Sequence, residues 1–160
     1  MRSVAVTLPV NSPDEAIKLT KGQVYEGLKV KARDPIRFVS VISSCEILEE
    51  HETGLLRRVQ FEDKPAPVHE RIEYYPPSQA TFTMFDPDSG EQLAFITNIV
   101  STSTGGELFL TFTFVIGENG PLDVGTDAER KESEQEKLGI DTIARTLQVV
   151  REMVRTKEIE

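Results

Sequence analysis

Tryptophan is absent from the 160 residues, cysteine occurs once and histidine twice, and each scarcity removes a class of function. The lone Cys45 cannot close an intramolecular disulfide, which points to a reducing compartment. Cys45 shares strand parity with Ile47 and is expected to be a small buried apolar residue. His51 lies among Glu49, Glu50 and Glu52 in a turn, where a metal would lack further ligands at a known spacing. His69 alternates with Val68 and Glu70 and so belongs to the outer face of its strand. Neither histidine can serve as base to an inward cysteine or serine, which argues against triad-type hydrolysis. Basic residues are also short, 18 against 27 acidic, for a net charge of -9. A polyanion would be repelled, and no nucleic-acid partner is expected. Long apolar runs are missing, so neither signal peptide nor membrane span is expected, and a soluble, cytoplasmic protein follows. No glycine-rich loop precedes a helix: Gly105-Gly106 joins two strands, and Gly117 to Gly125 carries no lysine. No metal or nucleotide cofactor is expected.

What the chain does contain is organised around its C-terminal run, Thr126 to Lys157. At ~1.5 Å per residue this candidate helix is roughly 45 Å long. Thr126 and Glu129 have the spacing of a capping box. Asp127 to Lys137 is charged or polar, a solvated surface. Leu138, Ile140, Ile143, Ala144, Leu147, Val150, Met153 and Val154 then recur at three- and four-residue steps. Burying such side chains at ~1.5 to 3 kcal/mol each offers on the order of 10 to 20 kcal/mol before ordering entropy. A lone helix cannot collect that, so a concave apolar partner is required.

The preceding chain supplies one. Ser3 to Val10 alternates as a half-buried strand. Thr20 and Gln23 cap a helix from about Lys21 to Arg33, with Val24, Tyr25, Leu28 and Ala32 on its apolar face. Asp34-Pro35 stops it and starts a second, short helix presenting Phe38, Val39 and Ile42. From Ser43 the period becomes two. Strands are expected at about Ser44 to Glu50, Leu55 to Glu62, Pro67 to Tyr75, Gln79 to Asp86, Glu91 to Thr102 and Glu107 to Gly117. Turn residues such as Pro76-Pro77-Ser78 and Pro87-Asp88-Ser89-Gly90 punctuate them. This is an antiparallel meander. Alternation selects Leu108, Leu110, Phe112, Phe114 and Ile116, then Leu93, Phe95, Thr97 and Ile99, then Phe82 and Met84, as its inner face. The whole is expected to be one domain spanning 1–160, of class α+β: a seven-stranded curved antiparallel sheet wrapped around a long C-terminal helix, with two short helices after the first strand.

That order, with Val24-Tyr25-Glu26-Gly27-Leu28, Ala32-Arg33-Asp34-Pro35-Ile36-Arg37-Phe38 and Gly54-Leu55-Leu56-Arg57-Arg58-Val59-Gln60-Phe61, resembles the helix-grip or START-like (SRPBCC, birch-pollen-allergen-like) superfamily. Within it the chain is most similar to the AtaL-like family of small fungal and bacterial proteins, one of which sits in a fungal secondary-metabolite cluster. The resemblance implies a sheet gripping the helix over a pocket for an apolar small molecule. It implies no settled reaction.

Arg57 is the most informative residue, because it shares the parity of Leu55, Val59 and Phe61 and so points inward. Glu70 shares the face of Val68, Ile72 and Tyr74 on the next strand, close enough for a partly buried ion pair with Arg57. Two roles follow: mutual neutralisation, or, with Tyr74, recognition of a carboxylate, phenolate or carbonyl on an apolar ligand. The expected ligand-binding set is Arg57, Val59, Glu70, Ile72, Tyr74, Phe82, Met84, Phe95, Thr97, Phe112, Phe114, Ile143 and Leu147. The aromatics Phe82, Phe95, Phe112 and Phe114 lack the interleaved Arg or Lys of a base-stacking platform and are expected in the core.

Three functions are consistent with this reading. The first is a carrier or sequestering protein for a lipid or secondary-metabolite-like molecule. The second is a cyclase or aromatase in which Glu70, Arg57 and Tyr74 orient the substrate or move protons. The third is a protein-interaction domain acting through the acidic half of the long helix. Phe109 and Val115, outward by parity, offer a seed for a homodimer.

Overall fold

The computed structural model describes residues 1–116 and 124–160. Seven strands form one antiparallel sheet: β1 (Arg2–Pro9), β2 (Ile42–His51), β3 (Gly54–Phe61), β4 (Val68–Tyr75), β5 (Gln79–Phe85), β6 (Gln92–Thr102) and β7 (Leu108–Ile116). Their order across the sheet is β1-β7-β6-β5-β4-β3-β2, a meander from β2 to β7 with β1 added beside the last strand. Helix α1 (Lys21–Arg33) follows β1, and helix α2 (Thr126–Arg155) ends the fold. The expected limit of the last strand at Gly117 lies outside the described residues.

Helix α1 starts where its capping box places it. The Thr20 hydroxyl accepts from the Gln23 amide at 3.1 Å, and the Gln23 side chain accepts from the Thr20 amide at 2.9 Å. Asp34-Pro35 ends it, but the second helix shrinks to one 3-10 turn, Pro35–Arg37. Phe38 then dives into the core and Ile42 already opens β2, so too few residues remain for a longer helix. The α2 N-cap also differs: it is Gly125, and no side chain among the described residues caps the helix. Thr126 is already helical, which removes it from the geometry of a capping residue.

The sheet's inner face is covered unevenly. Ile143, Leu147, Val150 and Met153 of α2 pack with Val4, Val6, Leu28, Val100, Leu110 and Phe112 in the largest apolar cluster. Gly27 and Gly139 permit the close approach: a Cβ on Gly27 would lie 2.3 Å from a Val150 methyl, and one on Gly139 would lie 2.7 Å from a Val6 methyl. The stripe of α2 is narrower than its sequence suggested, since Leu138, Ile140 and Ala144 are exposed. Seven strands at ~4.8 Å spacing make a sheet wider than one helical stripe can cover. Over β3 to β6 the inner face therefore stays partly open.

The register corrects one expected face. On β6, Ala94, Ile96, Asn98 and Val100 point inward, because they pair with Ile116, Phe114, Phe112 and Leu110 of β7. Phe95 and Thr97 lie on the outer face with Leu93's expected companion Ile99, opposite Val115, Thr113 and Thr111. The five residues 103–107 that connect β6 to β7 pair even positions with even ones, which sends the more apolar-looking odd set outward. Leu93 is the exception among the odd positions. A bulge between Met84 and Phe85 on β5 skips it in the ladder and turns it toward the interior.

Candidate functional site

Where the α2 stripe runs out, a cavity of about 280 Å³ opens between the sheet and the two helices. Its walls are mainly apolar, including Phe82, Met84, Ile96, Phe112 and Phe114. Its buried polar residues are Lys31, Arg57 and Glu70, while exposed Asp63 and Leu138 stand toward solvent. The volume is close to the ~300 Å³ lower end of ordinary small-molecule sites.

The ion pair between Arg57 and Glu70 forms as parity required, since the two are direct partners in the β3–β4 ladder. Arg57 Nε donates to Glu70 Oε2 at 2.7 Å, and Nη2 approaches the same oxygen at 2.5 Å. Both side chains are only 3% exposed. Arg57 does more than neutralise Glu70. Its Nη1 donates to the carbonyls of Lys31 at 3.0 Å and Ala32 at 2.6 Å, satisfying the last turn of α1. The pair thus fastens α1 to the sheet and leaves a charged surface along the cavity.

Lys31 escaped the sequence reading, although its spacing from Val24 and Leu28 places it on the same helical face. It is buried, and its Nζ donates to Asn98 Oδ1 at 2.7 Å. The ammonium position lies 4.0 Å from the centre of the Phe112 ring and 5.5 Å from that of Phe82. Burial, reinforced by the nearby Arg57 charge and partly opposed by Glu70, pulls the Lys31 amine down from 10.5 to about 7. Asn98 was hidden by the reversed face of β6; the parity of the β6–β7 connection was the signal that locates it.

The expected binding residues separate into groups. Arg57, Glu70, Phe82, Met84, Phe112 and Phe114 line the cavity. Val59 is buried in the adjoining apolar cluster with Ile42, Val68, Met84 and Ala94. Ile72 and Tyr74 pack in another with Leu55, Ala80 and Phe82. Ile143 and Leu147 belong to the solid core under α2. Phe95 and Thr97 are outside altogether. Tyr74, four residues beyond Glu70 on β4, is not among the residues that line the cavity, although the Arg57 charge still acts on its hydroxyl. Its hydroxyl is buried with no hydrogen-bond partner among the described residues, and burial raises its pKa. Cys45 faces Val59 in the ladder and is half-buried, with burial raising its thiol pKa.

His51 is exposed, and His69 sits against Phe85 on the outer face. Among the described residues, no cluster of three His, Cys, Asp or Glu is placed to hold a metal. No helix of the described residues is long and apolar enough to cross a membrane.

Seven strands curled over a long C-terminal helix, with a cavity between, define the helix-grip architecture of the START-like superfamily. The family described as "AtaL: Acetylaranotin biosynthesis cluster protein L" matches residues 4–157, and the chain belongs to it. Solved structures of similar fold include the ZhuI aromatase/cyclase from Streptomyces sp. R1128, at TM-score 0.63 and 18% identity over 96% of this chain and 95% of that one. Ara h 8.0201 aligns at TM-score 0.55 and 16% identity, covering 93% of this chain and 97% of that one. A protein from Thermus thermophilus aligns at 0.60 and 14%, covering 99% and 100%. No curated protein matches the sequence.

Proposed function

We propose that this protein binds an apolar small molecule carrying a single hydrogen-bonding group, as a carrier or sequestering protein of a biosynthetic pathway in the cytoplasm. The observation that carries the reading is the cavity itself: apolar walls around the buried Lys31, Arg57 and Glu70. Apolar walls reward burial of a ligand's surface, while a few convergent polar atoms select its orientation. The family's description, a protein of a biosynthesis cluster, supports a secondary-metabolite-like ligand.

A second reading, catalysis of the cyclase or aromatase kind, is favoured by Lys31, a buried amine beside two further ionisable groups. Glu70 is a weaker candidate for proton transfer, because Arg57 holds its Oε2. The protein-interaction reading finds less support. In the acidic half of α2, Asp127 and Glu134 pair with Arg130, and Glu132 pairs with Arg2, so much of that charge is already engaged within the chain.

Native mass spectrometry of freshly purified protein, compared with its denatured mass, tests the binding reading. Co-purification of an apolar molecule, or saturable uptake of Nile red, is the expected result. A protein that is empty and takes up no probe would overturn it.

A further inference from the structure

Resting on the cavity reading above, we propose that Lys31 is a nucleophile that captures the carbonyl group of an apolar aldehyde or ketone in the cavity as a covalent imine. Three features place the amine for this. Lys31 lines the cavity although its side chain is buried, so a bound ligand meets Nζ without bulk water between them. One N–H is anchored on Asn98 Oδ1, and the ring of Phe112 lies 4.0 Å away, which restricts the end of an otherwise flexible chain. The groups that face it from the neighbouring strands are Arg57 on β3, Glu70 on β4, Phe82 on β5, Asn98 on β6 and Phe112 on β7. Only two of these are charged, and they are paired with one another. Among the described residues, Lys31 is therefore the buried titratable group of the cavity that the fold does not already hold in an ion pair.

A structural lysine would extend its ammonium to water, as lysine does when its stem alone is buried. Here the terminal nitrogen itself is enclosed, in surroundings that favour the neutral amine. A neutral amine has the lone pair that addition needs. In the step, the Nζ lone pair forms a bond to the carbonyl carbon and the C=O π pair moves to oxygen. Loss of the two amine protons with that oxygen as one water then leaves the C=N bond. No oxidant or reductant takes part.

The test uses the full chain with naphthaldehyde and sodium cyanoborohydride, which reduces an imine to a stable secondary amine. Intact mass and peptide mapping then count and locate the adducts. Expected is one naphthylmethyl group per chain on Lys31, formed at least about tenfold faster at pH 7 than on surface lysines, whose neutral fraction is roughly a thousandfold smaller. The labelling rate rises between about pH 6 and pH 8 and levels off above. K31R and K31M, checked for cooperative unfolding, lose this adduct; the wild-type peptide map locates it even if neither variant folds. Nile red uptake by the wild-type protein is measured in parallel. Probe uptake with adducts scattered over surface lysines overturns the imine proposal and leaves the cavity reading standing. Neither uptake nor a Lys31 adduct overturns both.

Discussion

Arg57 Nη1 donates to the carbonyl oxygen of Ala32 at 2.6 Å, so the guanidinium that neutralises Glu70 also closes the C-terminal turn of α1. A charge for which strand parity leaves two roles open, neutralisation of Glu70 and ligand recognition, is thereby bound into the frame of the cavity.

This linkage separates two substitutions. Glu70→Gln leaves the guanidinium buried without its counter-charge and is expected to lose ~3 to 5 kcal/mol of unfolding free energy. The double variant R57M/E70L removes both charges, and recovers only part of that loss because the Lys31 and Ala32 carbonyls stay unsatisfied. Urea unfolding of the two variants beside the wild type measures the difference. Full recovery in the double variant would show that the carbonyl contacts contribute nothing.

Lys31 predicts an unusual pH dependence. Its amine titrates near 7 in the folded protein and near 10.5 when unfolded, so between these values the unfolded chain binds the extra proton. Stability from this group therefore rises with pH from about 7 to about 10.5, by at most ~1.4 kcal/mol per pH unit, and is flat below. Lys31→Met removes that rise. Denaturant midpoints at pH 7 and pH 9 decide it: equal slopes in wild type and variant would mean that Lys31 is charged in the fold.

The two close approaches of the helices give a packing prediction. Gly27→Ala and Gly139→Ala each force a methyl against Val150 or against Val6 and Phe114, and are expected to cost ~1 to 3 kcal/mol. Thermal unfolding checks this. Gly27 is the more severe site, since its Cβ meets Val150 at the shorter distance.

Filling the cavity separates binding from folding. Ala94 lines it on β6, opposite Met84 and Ile116. Ala94→Phe is expected to abolish Nile red uptake at a stability cost within the ~1 to 3 kcal/mol of overpacking, leaving the protein folded. Undiminished uptake would move the probe site elsewhere, with the wide depression of about 520 Å³ at Arg2, Ile116 and the first turns of α2 the next place to look.

Much of the fold was legible because it is written in local rules. The capping box at Thr20 and Gln23 placed α1, and turn residues separated the strands. In the Asp86-to-Gly90 turn, for example, Asp86 Oδ1 accepts the amides of Asp88 and Ser89, and Gly90 adopts φ 75. The Arg57–Glu70 pair was equally legible, since neighbouring antiparallel strands fix their own register once the inner face is known. The face of β6 is the exception, because Phe95 and Ile99 are more hydrophobic than Ala94 and Asn98 yet point outward. Hydrophobicity ranks single residues, whereas the pairing with β7 decides which way all of them point.

Sequence by itself determined the elements, their order, the helix-grip class and the inward charge at Arg57, because helix caps, turns and period-two alternation act within a few residues. Only the tertiary structure decided that Lys31 meets Asn98 across 67 positions, that Tyr74 packs with Leu55, Ile72 and Phe82 and not in the cavity wall, and that a cavity remains where the α2 stripe ends. Those outcomes depend on how far a helix can cover a wider sheet, a matter of three-dimensional dimensions that no local pattern encodes.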